Sequence, residues 1–428
     1  MKILHVNTSD CTGGAAIAAL RLLRAQRNQG LDAQLLCRDR SATLLVNGNE
    51  IIRLKPTLRV RCLKALERLL IVLRNGFSRR NLWRIDTAQL GTDITRLKAF
   101  QQADVIHLHW VNQGMLSLAD IERILKSGKR VVWTLHDMWP FTGICHHAAQ
   151  CQRWRNEGCG KCPLLKHPAP ADLSAKVYQR KAKVYAAGHF TAVGCSRWLA
   201  GLAAESALFK GQNVVSIPNA LDTNYYMPAD TPDQPLRSQA RQALQLPTNK
   251  RVLLFIAHNV ADPNKGIDYL VRAVCQIVAR QPELAAQLAV VLVGQNCDQY
   301  EQAFPAPVTV HSFAYVQRTD QLRTLYQAAD LLVMPTLMDN LPNTIAEAGA
   351  CGTPTVAYAV GGVPQMVETG VNGYLARPQS VADLTQGIIN CLSSASMMAM
   401  QRNARVRAVN SYGEKAVVEA YLKVYQAH

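Results

Sequence analysis

At 428 residues, 49% hydrophobic and 18% charged, the chain can bury two sizeable cores and falls outside the disordered class. Its net charge of +17 asks for an anionic partner, but no helix-turn-helix, zinc-finger or aromatic RNA-binding pattern accompanies the charge. Nucleic acid is therefore set aside in favour of phosphorylated substrates or an anionic membrane face. No apolar run reaches a membrane span and no signal-peptide stretch follows Met1, which predicts a cytoplasmic protein. There its 12 cysteines are expected as thiols or metal ligands, not as a disulfide framework.

The first predicted strand, residues 2–6, leads to Gly13-Gly14 and a helical stretch at 15–29. Two glycines between strand and helix allow a tight turn, or let backbone N–H groups approach an anion. Apolar runs at 33–37, 105–108, 131–135, 191–193 and 214–217 alternate with helical patterns such as 119–126. The rhythm restarts with runs at 252–256, 289–293, 308–310, 331–334 and 355–358. Alternation of this kind predicts an α/β chain of two doubly wound parallel sheets, with ligands beyond the carboxyl ends of the strands and a site between the facing sheets. A domain boundary belongs near Asn219, and residues 228–235 (PADTPDQP) have the most linker-like composition.

Between Arg53 and Arg84 the chain is strongly basic, with Arg59, Arg61, Lys64, Arg68, Arg74, Arg79 and Arg80 against Glu67 alone. Within it Cys62, Leu66, Leu69, Leu70 and Leu73 recur at helical spacing. Two readings fit. The helix lies on an anionic membrane, with Arg59, Arg61, Lys64 and Arg68 at the headgroups, or it packs the apolar stripe on its own domain. His107 and His109 end one predicted strand, and His136-Asp137 ends the next. Cys145, Cys151, Cys159 and Cys162 form C-x5-C-x7-C-x2-C in a glycine-containing loop, with His146 and His147 nearby. Four thiols so close suit a structural zinc, or remain reduced and unligated.

Residues 335–368 read PTLMDNLPNTIAEAGACGTPTVAYAVGGVPQMVE. A buried strand, Asp339, a helix start at Pro342 and then Glu347 follow in order. Helix N-termini favour phosphate, and a carboxylate two turns on can hold ribose-like hydroxyls. This block resembles the nucleotide-sugar signature of family 4 glycosyltransferases: E-x7-E, a small-residue helix, G-x-P, then G-G-[VI]-P-x-[MI]-[VI]. Gly352-Thr353-Pro354 and the run from Gly361 to Val367 fit, while Asp339 stands where that family has Glu. Lys265-Gly266 resembles the family's R-x4-K-G element with Val260 at the arginine position, and Pro218-Asn219-Ala220-Leu221-Asp222 resembles its interdomain turn.

The resemblance implies a GT-B fold of two Rossmann-like domains, 1–218 and 219–411, with a final helix in 412–428 crossing back to the first. It implies a retaining glycosyltransferase that moves a sugar from a nucleotide-diphosphate sugar to a hydroxyl. His136, Asp339 and Lys265 would be catalytic. Gly13, Gly14, Leu341, Pro342, Asn343, Thr344 and Glu347 would bind the donor, and His109 would stand on the acceptor side. No catalytic metal is implied. The segment 133–163 resembles a subset linked with bacterial exopolysaccharide synthesis, and the basic segment, on its membrane reading, points to a lipid-linked saccharide acceptor at the inner membrane face. The competing readings are a basic membrane- or nucleic-acid-binding non-enzyme and a GT-B nucleotide-sugar epimerase.

Overall fold

A computed structural model of the chain describes all residues except 11, 40–49, 56, 157, 229, 232–233, 315, 317, 394, 396 and 428. It separates into two compact units, Met1–Ala220 with Val417–His428, and Leu221–Ala416. The sequence placed the divisions at 218/219 and 411/412; the structural ones fall at 220/221 and 416/417. The proline-rich stretch 228–235 lies inside the second unit, where the two-residue strands β8 (Asp230–Thr231) and β9 (Gln234–Pro235) pair antiparallel.

The first unit holds β1 (Lys2–Ser9), β2 (Asp32–Asp39), β3 (Ile51–Arg53), β4 (Val105–Leu108), β5 (Arg130–Leu135), β6 (Thr191–Gly194) and β7 (Asn213–Ser216). All pair in parallel, in the order β3-β2-β1-β4-β5-β6-β7. Near-continuous burial of β1 and β4 is what a parallel sheet covered on both faces requires. β3, three residues in a basic context, is too short to leave a pattern in the sequence. Ile3, Leu20, Leu23, Val105, Val132 and Val193 share one core with Val417, Val418, Tyr421 and Tyr425 of the Glu414–Gln426 helix.

The second unit continues with β10 (Arg251–Asn259), β11 (Leu288–Gln295), β12 (Thr309–Phe313), β13 (Leu331–Met334), β14 (Thr355–Tyr358) and β15 (Gly373–Ala376). They too are parallel, ordered β12-β11-β10-β13-β14-β15. Leu253, Phe255, Val290, Leu292, Leu331, Val333 and Val356 form its core with Leu384 and Ile388. The expected fold class, α/β with two doubly wound parallel sheets, is the one observed. In each sheet the strand order puts three relevant carboxyl ends side by side: β1, β4, β5 in one and β10, β13, β14 in the other.

Candidate functional site

In the second unit, Lys265 closes a short turn after β10, and Gly266 follows in the left-handed region at φ 78°. A Cβ on Gly266 would stand 2.0 Å from the Pro335 carbonyl, so glycine lets this turn press on the loop that leaves β13. The Thr336 hydroxyl and the Leu337 N–H both donate to the Asn264 carbonyl, at 2.9 and 2.8 Å. So tied, the two loops bring Lys265 Nζ to 3.1 Å from Asp339 Oδ2, both side chains partly exposed. Asp339 is fixed from its other side as well. Gly361, at φ 53°, packs under it so closely that a Cβ would lie 1.9 Å from the Asp339 carbonyl.

The Asn343–Ala350 helix starts next, with Pro342 as its N-cap, one position before the first helical turn, and no side-chain cap. Leu341 and Pro342 are buried, Asn343 and Thr344 half-buried. Ala346, Ala348, Gly349 and Ala350 keep the helix thin. Glu347 is buried and accepts from the Tyr326 hydroxyl at 2.7 Å. Burial and the nearby Glu347 carboxylate push the Tyr326 phenol well above its ordinary range, so it acts as a donor. Val260 lies wholly in the core, so this edge carries Lys265 without a cation at the Val260 position.

In the first unit, Gly13 (φ 91°) caps the Gly14–Asn28 helix without a side-chain bond. A Cβ at Gly13 or Gly14 would meet nothing within 4 Å, so packing inside the protein does not explain these glycines. In the same unit, His136 is half-buried and lines a small recess with Ala18, Leu22, His109, Thr134, Asn219 and Tyr421. His109, expected on the acceptor side, lines the same recess as the more deeply buried of the two rings. His109 is 3% exposed, with Nδ1 3.2 Å from His136 Nε2 and Nε2 3.0 Å from His5 Nδ1. Burial lowers His5 and His136 to about 4, Asp137 opposing the shift at His136, and holds His107 and His109 well below the usual histidine range. Asp137 accepts from Trp110, Trp139 and His146; although burial opposes it, the His146 ring and these donors lower it to about 2.

Among the described residues, one trio of metal-capable side chains has its ligating atoms within 4.8 Å of one another: His5, His107 and His109. All six of its ring nitrogens are already hydrogen-bonded, to Gln26, Tyr425, Thr134, His136 and one another. It is a polar network in a core, not a ligand cage. Sequence reasoning missed His5, Gln26 and Tyr425 here. The available signal was polar residues inside otherwise apolar strands, such as His5 in β1.

Cys145, Cys151, Cys159 and Cys162 share one loop region but no three of their sulfurs meet at ligating spacing. Backbone N–H groups of Gly143 and Leu164 donate to the sulfurs of Cys159 and Cys162. Wholly buried Lys181 bonds the Trp139 and Thr142 carbonyls and stands 3.5 Å over the Trp139 ring. His146 bonds Asp137 through Nδ1 at 2.7 Å, which fixes the orientation of its ring.

The basic segment needs a correction. The Leu58–Arg74 helix turns Leu63, Glu67, Arg68 and Ile71 inward. Arg68 is buried, paired with Asp86 at 2.6 Å and bonded to the Ile85 carbonyl, so it cannot serve a membrane surface. Leu66, Leu69 and Leu73, taken as the packing stripe in one reading, are exposed, as are Lys64, Phe77 and Trp83. The side chains of Arg59 and Arg61 lie outside the described residues. No described helix is long and apolar enough to cross a membrane.

Residues 12–225 match the family described as Glycosyltransferase Family 4, and residues 250–394 match Glycosyl transferases group 1. Among curated proteins, the chain is similar to D-inositol 3-phosphate glycosyltransferase 2 of Catenulispora acidiphila, 29% identical over 224 residues, 50% of each chain. It is also similar to the D-inositol 3-phosphate glycosyltransferase of Salinispora arenicola, 32% identical over 215 residues, 48% of this chain and 47% of the other. The chain thus spans about half the length of the curated relatives it matches. Anabaena HepE in complex with UDP superposes over 100% of both chains, with a TM-score of 0.65 and 18% identity. Sucrose-phosphate synthase of Thermosynechococcus elongatus does so over 100% and 98%, with a TM-score of 0.67 and 16% identity. These likenesses establish the fold.

Proposed function

The chain belongs to glycosyltransferase family 4, and from that premise we propose that it is a retaining enzyme moving a sugar from a nucleotide-diphosphate sugar to a hydroxyl acceptor. The observation that carries the reading is Lys265 beside Asp339 at the start of an uncapped small-residue helix whose interior holds buried Glu347. Lys265 and the helix N-terminus offer fixed positive charge to a departing diphosphate, stabilisation that costs no reorganisation at the moment of reaction. Glu347, kept as an acceptor by Tyr326, suits ribose hydroxyls, and Asp339 holds Lys265 in place. Leu341, Pro342, Asn343 and Thr344 shape the donor end. The first unit offers the Gly13-Gly14 amides and His136. The departing phosphate takes the acceptor proton. A non-enzymatic basic protein would leave this constellation unexplained. An epimerase would use it but release a free sugar nucleotide.

The test is transfer from a panel of nucleotide-sugars, UDP-glucose included, to two acceptor arms, a lipid-linked saccharide and inositol 3-phosphate. Lys265→Ala and Glu347→Gln are each expected to weaken donor binding by about 1.5–3 kcal/mol and suppress transfer. Full transfer by both variants would sink the assignment.

A second reading concerns location: the enzyme works at the cytoplasmic face of an anionic membrane. Exposed Leu66, Leu69, Leu73, Phe77 and Trp83 beside exposed Lys64, Arg79 and Arg80 support it. A third concerns the cysteine loop, which would bind one structural zinc through Cys145, Cys151, Cys159 and Cys162. Burial pushes the Cys145 and Cys159 thiols up to about 12, so zinc would have to displace their protons, and the sulfurs would have to draw together on binding. Metal analysis of tag-free, reduced protein should find about one zinc per chain; none would refute it.

A further inference from the structure

Two buried rings, one half-buried ring and one amide form a line through the first unit: Gln26, His5, His109, His136. Burial keeps all these histidines neutral. A neutral imidazole carries one ring proton, so each link in such a line decides the next. The line starts at Gln26, whose Nε2 donates to the Tyr425 hydroxyl at 2.9 Å and whose Oε1 therefore faces His5 Nε2 at 2.7 Å. An oxygen acceptor there requires the His5 proton on Nε2 and leaves Nδ1 as acceptor. His109 must then donate from Nε2, across 3.0 Å, and accept at Nδ1 from His136 Nε2, across 3.2 Å. A branch leaves the same anchor. The Tyr425 hydroxyl donates to His107 Nδ1 at 2.7 Å, so His107 Nε2 donates to Thr134, also at 2.7 Å.

We infer that Gln26 is a positioning residue: held by Tyr425 of the C-terminal helix, it sets His136 in its Nε2–H form through His5 and His109, leaving Nδ1 able only to accept. Gln26 is wholly buried and acts through the two intervening rings. The reverse polarity needs the amide to flip and all three rings to exchange nitrogens together, which makes the line cooperative. An acceptor at His136 suits a hydroxyl donor, as on a sugar, and opposes a phosphate oxygen, which would bring lone pair against lone pair. The use of that selection in glycosyl transfer rests on the function proposed above; the tautomer does not.

Long-range 1H–15N correlation spectra of the full chain with ring-labelled histidines report which nitrogen is protonated, signals being assigned through His5→Gln and His136→Gln. At neutral pH, wild-type His136 is expected to give the Nε2-protonated pattern alone. Gln26→Met, which keeps the bulk and removes both polar ends, should give His136 both tautomers and lower kcat/KM about tenfold, the loss of one hydrogen bond's worth of orientation. Tyr425→Phe, which removes the amide's anchor, should mix the tautomers too and carries the test if Gln26→Met does not fold. A wild-type His136 protonated on Nδ1 overturns the inference, as does a folded variant of either kind that keeps the pure pattern. The expected tautomers in a protein with no transfer activity would support this inference while defeating the functional reading.

Discussion

Gly361 and Gly13 both adopt positive φ, 53° and 91°, yet they answer to different demands. At Gly361 an added methyl would meet the Asp339 carbonyl at 1.9 Å; at Gly13 it would meet nothing. Gly361→Ala should therefore cost roughly 2–4 kcal/mol, clash added to strain, whereas Gly13→Ala should cost about 1–2 kcal/mol from conformation alone. Denaturant unfolding of the two variants checks this, and equal small losses would mean the Gly361 turn can yield. Asp339→Glu, which installs the acid usual in the family, is expected to retain transfer, because Lys265 can follow a partner one methylene longer. Its inactivation would indicate a pocket cut for a shorter side chain.

The Leu58–Arg74 helix carries the next lesson. Apolar spacing in the sequence drew attention to Leu66, Leu69 and Leu73, but the inward face is built on charge as much as on Leu63 and Ile71. Glu67 accepts from the Thr87 hydroxyl at 2.6 Å and the Leu90 N–H at 3.0 Å, and burial raises its pKa. Arg68 neutralises Asp86. Arg68→Ala leaves Asp86 buried and uncompensated and should destabilise the first unit by about 3–5 kcal/mol. The triple change of Leu66, Leu69 and Leu73 to Ser should cost no more than about 1.5 kcal/mol of stability in total and abolish binding to anionic vesicles. Wild-type protein that ignores such vesicles at low salt ends the membrane reading. Attraction by the basic residues alone should vanish near 1 M salt, where screening acts within about 3 Å.

At the scale of the whole molecule, the buried histidines couple stability to pH. His5 and His136 fall from 6.5 to about 4 in the folded protein, and burial holds His107 and His109 well below 6.5 too. Below 6.5 the unfolded chain binds protons that the folded one refuses. Stability is therefore complete above that pH and is lost as pH falls toward 4, by up to about 1.4 kcal/mol per pH unit for each ring. Urea midpoints should drop markedly between about pH 7 and about pH 5. A flat profile would mean the rings are hydrated.

The sequence by itself determined the α/β class, the two parallel sheets and the block around Asp339 and Glu347. These depend on local chemistry: apolar runs of strand length, glycine where backbone must approach backbone, and one acid before and one within a short helix. Lys265 was legible for the same reason, as a cation in a glycine turn just after a strand. The direction in which the Leu58–Arg74 helix faces was not, because a period marks a stripe without saying what covers it. The histidine line was beyond reach altogether. His5 and His109 are 104 residues apart, and Gln26 and Tyr425 are 399 apart. Only the parallel pairing of β1 with β4 and of β4 with β5, and the return of the last helix to the first unit, bring those polar groups together. Once buried there, they must satisfy one another, and that requirement decides which nitrogen of each ring holds its proton.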